Sequence, residues 1–107
     1  MPNAVSKCIA ERRLLYSSKR GTERIPFVIR VFEPHRVEQN EVSFPVDGDT
    51  ACCILEFYGL PEAVEDQIFG ADSLQALQLA VNVDPVLKRL TEKYDFYFPS
   101  GEGYFDD

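Results

Sequence analysis

Three cysteines, one histidine, a serine at a helix start and a surplus of carboxylates are the residues of this chain that could do chemistry. Cys8, Cys52 and Cys53, with His35, give no zinc-like spacing. In a strand Cys52 and Cys53 project to opposite faces, so at most one of them serves a given site. Reduced, partly buried thiols are the expected state. His35 stands in a Glu-Pro-His-Arg turn without the positioned partner that a general base needs. Asp47-Gly48-Asp49 lacks the ligand pattern and closing glutamate of a calcium loop and reads as a turn. Gly101 and Gly103 follow Pro99-Ser100 and precede no helix, which excludes a phosphate-binding loop. Ser73 has no evident base and no nucleophile elbow around it. Carboxylates are plentiful, but abundance does not locate a catalytic pair. The expectation is a chain with no catalytic residue, no metal site and no cofactor.

The background is an acidic one. A net charge of −7 over 107 residues argues against nucleic acid and anionic membranes, which need clustered Lys and Arg. The basic residues that exist gather early, at Arg12, Arg13, Lys19, Arg20, Arg24 and Arg30, and acids dominate from Glu56 onward. An apolar fraction of 45% with 13 aromatics suits one globular core, so residues 1–107 read as a single domain. The first residues, MPNAVSKCIAERR, show no signal-peptide run, and no stretch is apolar for long enough to cross a membrane. A cytoplasmic protein is expected.

The elements that position these residues follow from periodicity. Ile25, Phe27, Ile29 and Val31 alternate, which predicts a strand over Arg24 to Phe32. Lys7 to Tyr16 has helix-favouring composition but leads through a Ser17–Gly21 turn into that strand, so a hairpin predicts a strand there as well. Glu33 to Thr50 reads as a long loop holding a short strand at Val42 to Val46. Ala51 to Leu60 reads as a central strand closed by Gly59 and Pro61, and Pro61 to Gly70 as an acidic connection. Asp72 then caps a helix over about 73–83, with Gln75 reaching back. Its only polar side chains beyond the first residue are Gln75, Gln78 and Asn82, so it is expected to be buried on more than one side. Asp84-Pro85 breaks or kinks it, and a second short helix runs from Pro85 to about Tyr94. The predicted fold is α+β: an antiparallel sheet of three to five strands with this one main helix packed on one face.

Gly70 to Leu79, GADSLQALQL, resembles the phosphopantetheine attachment site of acyl and peptidyl carrier proteins. That resemblance implies Ser73 as the modified residue and Asp72 as its neighbour in the recognition site. Carrier proteins are four-helix bundles, whereas the residues upstream of Asp72 alternate with period two and predict strands. The pieces Ile9 to Leu14, Val28 to Val31, Phe57 to Leu60 and Phe69 to Ala80 resemble a family of small bacterial proteins catalogued as a domain of unknown function. The family implies a bacterial cytosolic origin and a β-then-α order, and no mechanism.

Six of the aromatics lie in the tail from Tyr94, and of these Phe96, Tyr97, Phe98, Tyr104 and Phe105 are the candidate interface. The expected function is a non-enzymatic protein-interaction module, with a partner that could be a second copy in a homodimer. Two alternatives stand beside it: an acidic immunity or inhibitor-type protein that neutralises a basic partner, and a phosphopantetheine carrier.

Overall fold

A computed structural model describes residues 7–105; the leader reading of the first six residues lies outside them. A long hairpin opens the fold. Strand β1 (Cys8–Ser18) pairs antiparallel with β2 (Ile25–Phe32), from Tyr16 opposite Ile25 back to Cys8 opposite Phe32. The turn closes with Gly21 donating its N–H to the Ser18 carbonyl at 2.7 Å. The two residues of β3 (His35–Arg36) and the long β4 (Ala51–Tyr58) follow, then β5 (Val64–Gly70).

Both β2 and β3 lie on the same edge of β4, because β5 occupies the other edge along all of Ala51 to Phe57. The pairing slips by one residue between them: Val31 opposes Leu55, whereas His35 opposes Cys52. That slip is a bulge, placed where Pro34 removes a ladder donor. The carbonyl of Phe32 at the bulge is taken up by the Cys53 thiol, which donates at 3.0 Å. Strand β6 (Tyr94–Tyr97) adds antiparallel to the far side of β1. The spatial order is therefore β5, β4, β2 with β3, β1, β6.

The sheet curls, and one face is concave. Leu14, Tyr16, Phe27, Ile29, Val31, Cys53, Leu55, Phe57, Tyr94 and Phe96 alternate onto that face and are all buried. Two helices lie over it, α1 (Ser73–Val81) and α2 (Asp84–Leu90), and contribute Ala76, Ala80, Val86 and Leu87 to the same core. Cys52, one residue along from Cys53, projects to the convex face.

The expected architecture is corrected. The sheet has six strands rather than three to five, and no single main helix packs on it. Instead there are two short helices of nine and seven residues against a curled sheet. Helix α1 is not buried on several sides either. Only Ala76 and Ala80 are buried, while Leu74, Leu79 and Val81 are 65%, 51% and 51% exposed. The close approach explains this. Gly70 ends β5 directly under the first turn of α1, where a Cβ would come within 2.4 Å of the Ala76 amide nitrogen. A helix held that near its sheet buries small residues and leaves its leucines on the flanks.

Two loop readings also change. Pro61 to Gly70 is mostly strand, with Val64, Asp66 and Ile68 opposite Phe57, Leu55 and Cys53. The expected strand at Val42 to Val46 does not form. There a 3-10 turn (Gln39–Glu41) precedes a loop in which the Gln39 amide donates to the Phe44 carbonyl and accepts from the Val46 N–H.

Candidate functional site

The two edges of β1 are unequally covered. Along β2 it is paired from Cys8 to Tyr16, but β6 reaches only Leu15 to Ser18. Among the described residues no strand lies beside Cys8 to Leu14 on that second edge. Each residue from Cys8 to Arg13 is exposed. The cause lies in the tail. After Tyr97 the chain reverses at Pro99-Ser100-Gly101, with Gly101 donating to the Phe98 carbonyl at 2.8 Å and Phe98 to the Glu102 carbonyl at 2.8 Å. Pro99 has no N–H to continue a ladder. The returning segment pairs with the outer side of β6, Gly103 opposite Tyr97, and so protects that strand instead of extending it along β1.

A groove borders the open edge on the concave side. Ala10, Glu11 and Arg12 form one wall, Ile29 and Val31 the floor, and Val81 with Val83 the other wall, enclosing about 120 Å³. This is enough for several waters or one aliphatic side chain. Register places Ala10 opposite Val31 and Arg12 opposite Ile29, on the face that the helices cover elsewhere. Helix α1 sits over β4 and β5, so the first half of β1 is left beside its exposed flank. Leu74, Leu77 and Val81, at i, i+3 and i+7, share one side of α1, and of these Val81 lines the groove.

One end of the groove is tied by a chain of hydrogen bonds. The Arg12 guanidinium donates to the Tyr104 hydroxyl at 2.8 Å, and that hydroxyl donates to Asp84 Oδ1 at 2.6 Å. Burial, and then the hydrogen bond to Asp84, raise the Tyr104 hydroxyl above its ordinary pKa, so it stays a donor. Strand β1, the tail and the first turn of α2 are thereby held together at this point. Arg12 makes no direct ion pair among the described residues, and Asp84 meets its charge only through the Tyr104 hydroxyl.

The residues singled out from sequence scatter. Phe96 is 4% exposed and packs on Phe27 and Tyr94 inside the core. Tyr97 is half-buried on the convex face, its hydroxyl 3.0 Å from the buried Ser17 and its ring under Arg24 at 4.0 Å. Phe98, Tyr104 and Phe105 form one partly exposed cluster near the groove: Phe98 lies tilted against Tyr104 at 4.9 Å, Tyr104 meets Phe105 edge to face at 5.0 Å, and Lys88 lies over Phe105. Ser73 is the exposed first residue of α1, behind Asp72, which accepts from the Gln75 N–H at 2.8 Å. The helical bundle that surrounds a carrier serine is not formed by this sheet-based chain. Among the described residues no group of three or more His, Cys, Asp or Glu is placed to hold a metal. Sequence reading missed the groove, and only the early clustering of Arg12 and Arg13 pointed toward it.

Across the convex face a charged row runs from Glu11 on β1 through Arg30 and Glu56 to Glu65 on β5. Arg30 lies 3.7 Å from Glu11 and over the Tyr58 ring at 4.6 Å. Glu56 Oε1 is buried and has no hydrogen-bond partner, and Glu65 lies directly across from it. No helix of the described residues is long and apolar enough to cross a membrane. No protein-family model matches the chain, and neither a curated protein nor a solved structure matches it.

Proposed function

We propose that this protein is a non-enzymatic interaction module that binds an extended segment of another protein by adding it as a strand to β1. The observation that carries this reading is the open edge at Cys8 to Leu14, bordered by an apolar groove. An unpaired edge offers a row of backbone donors and acceptors, and the groove offers a place for alternate side chains. Main-chain hydrogen bonds would supply affinity and the groove between Val31 and Val81 specificity. A bacterial, cytoplasmic setting belongs to the same proposal.

The test is selection from a displayed library of extended peptides, followed by amide hydrogen exchange of the complex. Ligands that slow exchange over residues 8–14 support strand addition at β1. Selected ligands that protect another surface, or an empty selection, contradict it.

A second reading has its own observation. The exposed Glu65, with Glu56 directly across from it, suits a basic side chain arriving from a partner, as in an acidic inhibitor-type protein. Such a complex would weaken steeply with added salt; salt-indifferent binding rules it out.

A further inference from the structure

Strand addition at β1 leaves open what kind of chain is added, and the charge distribution narrows it. The molecule carries −7 overall, yet its open edge is basic. Arg12 and Arg13 stand on it, Lys7 lies at its start, and Glu11 is the one acid among them. Arg12 projects to the concave face and is held there by Tyr104. Arg13 projects to the convex face with a side chain 79% exposed. Glu11 is already engaged twice, by Arg13 at 3.2 Å and Arg30 at 3.7 Å, so its charge is largely answered within the chain. Lys7, Arg12 and Arg13 against Glu11 leave the edge net positive, although Arg13 shares its charge with Glu11 and Arg12 is linked through Tyr104 to Asp84.

The groove adds a second demand. Its floor and far wall are Ile29, Val31, Val81 and Val83, all aliphatic. An added strand alternates its side chains between the two faces. Every second residue therefore meets this apolar wall, and the ones between meet Arg13 on the convex side.

We infer that the edge of β1 selects an extended peptide in which aliphatic and acidic residues alternate, aliphatic toward the groove and acidic toward Arg13. This rests on strand addition at β1 being correct. A second copy of the chain fits the edge less well. In an antiparallel self-pairing centred on Arg12, Glu11 would oppose the partner copy's Arg13, but Arg12 would oppose itself, and like charges directly across a ladder are destabilising. Centring it on Glu11 sets Glu11 against itself, and centring it on Arg13 sets Arg13 against itself.

Two capped synthetic peptides of about eight residues, an ordinary strand length, test the inference. One alternates Val with Glu and the other Val with Lys. Binding is followed by isothermal titration and by amide exchange over residues 8–14, on the full chain. The Val-Glu peptide should bind roughly fivefold tighter than Val-Lys at low salt, because the cross-strand pair with Arg13 turns from attractive to repulsive between them. At about 0.5 M salt, where screening acts over a few ångströms, the difference should shrink to about twofold. Arg13→Glu, a change at an exposed side chain, should remove most of the preference, with only a small fall in the unfolding midpoint from loss of the surface pair with Glu11.

Equal binding of both peptides with residues 8–14 protected overturns the charge preference and leaves strand addition standing. Binding of neither, or protection elsewhere, overturns both. A dimer that protects residues 8–14 without any peptide gives the edge to a second copy and also overturns the inference.

Discussion

At the scale of single residues, the three cysteines differ by position more than by type. Cys8 is exposed at the start of β1, whereas Cys52 and Cys53 are 2% and 0% exposed. Burial pushes the Cys52 thiol up to about 11, with the neighbouring Cys53 adding to the effect, and burial raises Cys53 as well. Thiolate is the reactive form, so one thiol of the three should react rapidly with a maleimide in the native protein. Mass spectrometry of the labelled chain should find the adduct on Cys8, and rapid labelling of Cys52 or Cys53 would contradict their placement. The fold puts a different demand on Gly70. A methyl there would meet the Ala76 backbone at 2.4 and 2.8 Å, with no flexible side chain to give way. Gly70→Ala should cost about 1–3 kcal/mol in chemical denaturation through forced backbone shifts. In Asp72→Ala, loss of the cap to the Gln75 N–H should cost about 1 kcal/mol. The run from Gly70 to Ala80 is thus accounted for by close packing and capping, with Ser73 a solvent-exposed first-turn residue.

Elements were legible from sequence where one face is apolar, and obscure where charge interrupts the pattern. Alternation at Ile25, Phe27, Ile29 and Val31 is the buried face of β2, and Cys52 and Cys53 do point to opposite sides of β4. Strand β5 was hidden because Glu65 and Asp66 read as a polar connection. In the fold Asp66 meets Arg89 of α2 at 2.9 Å, so an acid facing the helices is satisfied there. Helix α1 misled in the other direction: its leucines predict burial, but the Gly70 contact draws it so near the sheet that Ala76 and Ala80 fill the interface. The groove was beyond reach for a physical reason. It exists because β6 stops at Tyr97, and a strand's length relative to its neighbour is a tertiary property that no local pattern encodes. The convex face carries a prediction at this scale. Glu56 and Glu65 oppose each other across β4 and β5 with one Arg30 between several acids. Glu65→Lys should raise stability by about 0.2–1 kcal/mol by turning a repulsive cross-strand pair into an attractive one. A neutral or destabilising result would mean that Glu56 is paired some other way.

At the scale of the whole molecule, the Cα radius of gyration of 15.5 Å exceeds the roughly 13 Å expected for a compact domain of this length. The extents of 48 × 26 × 22 Å describe an elongated, curled sheet with helices over part of one face. Stability should follow pH in a way set by its buried acids. Cys52, Cys53, Tyr94 and Tyr104 all have raised pKa values, chiefly through burial. A raised value means the folded state holds its proton more tightly than the unfolded chain. The resulting stability is full below the unfolded pKa and is lost as pH climbs, for Cys52 between about 9 and about 11. Denaturation midpoints should therefore fall across that window, and less so in Cys52→Ala. Glu62 has the opposite sign. Hydrogen bonds from Lys93 and Tyr94 depress it, so its contribution is present at neutral pH and fades as pH drops through the carboxylate range. A difference between the native chain and Glu62→Gln that persists in acid would refute that pairing.

The half-covered strand is the feature on which the functional reading turns, and amide hydrogen exchange of the free protein in dilute solution measures it directly. Over Leu15 and Tyr16, with partners on both sides, both amides should be slow. Over Cys8 to Leu14 the amides facing β2 should be slow and the alternate ones fast, giving a two-residue sawtooth. Uniform protection from Cys8 through Tyr16 would mean that something already lies along this edge, and the docking function assigned to it would be wrong.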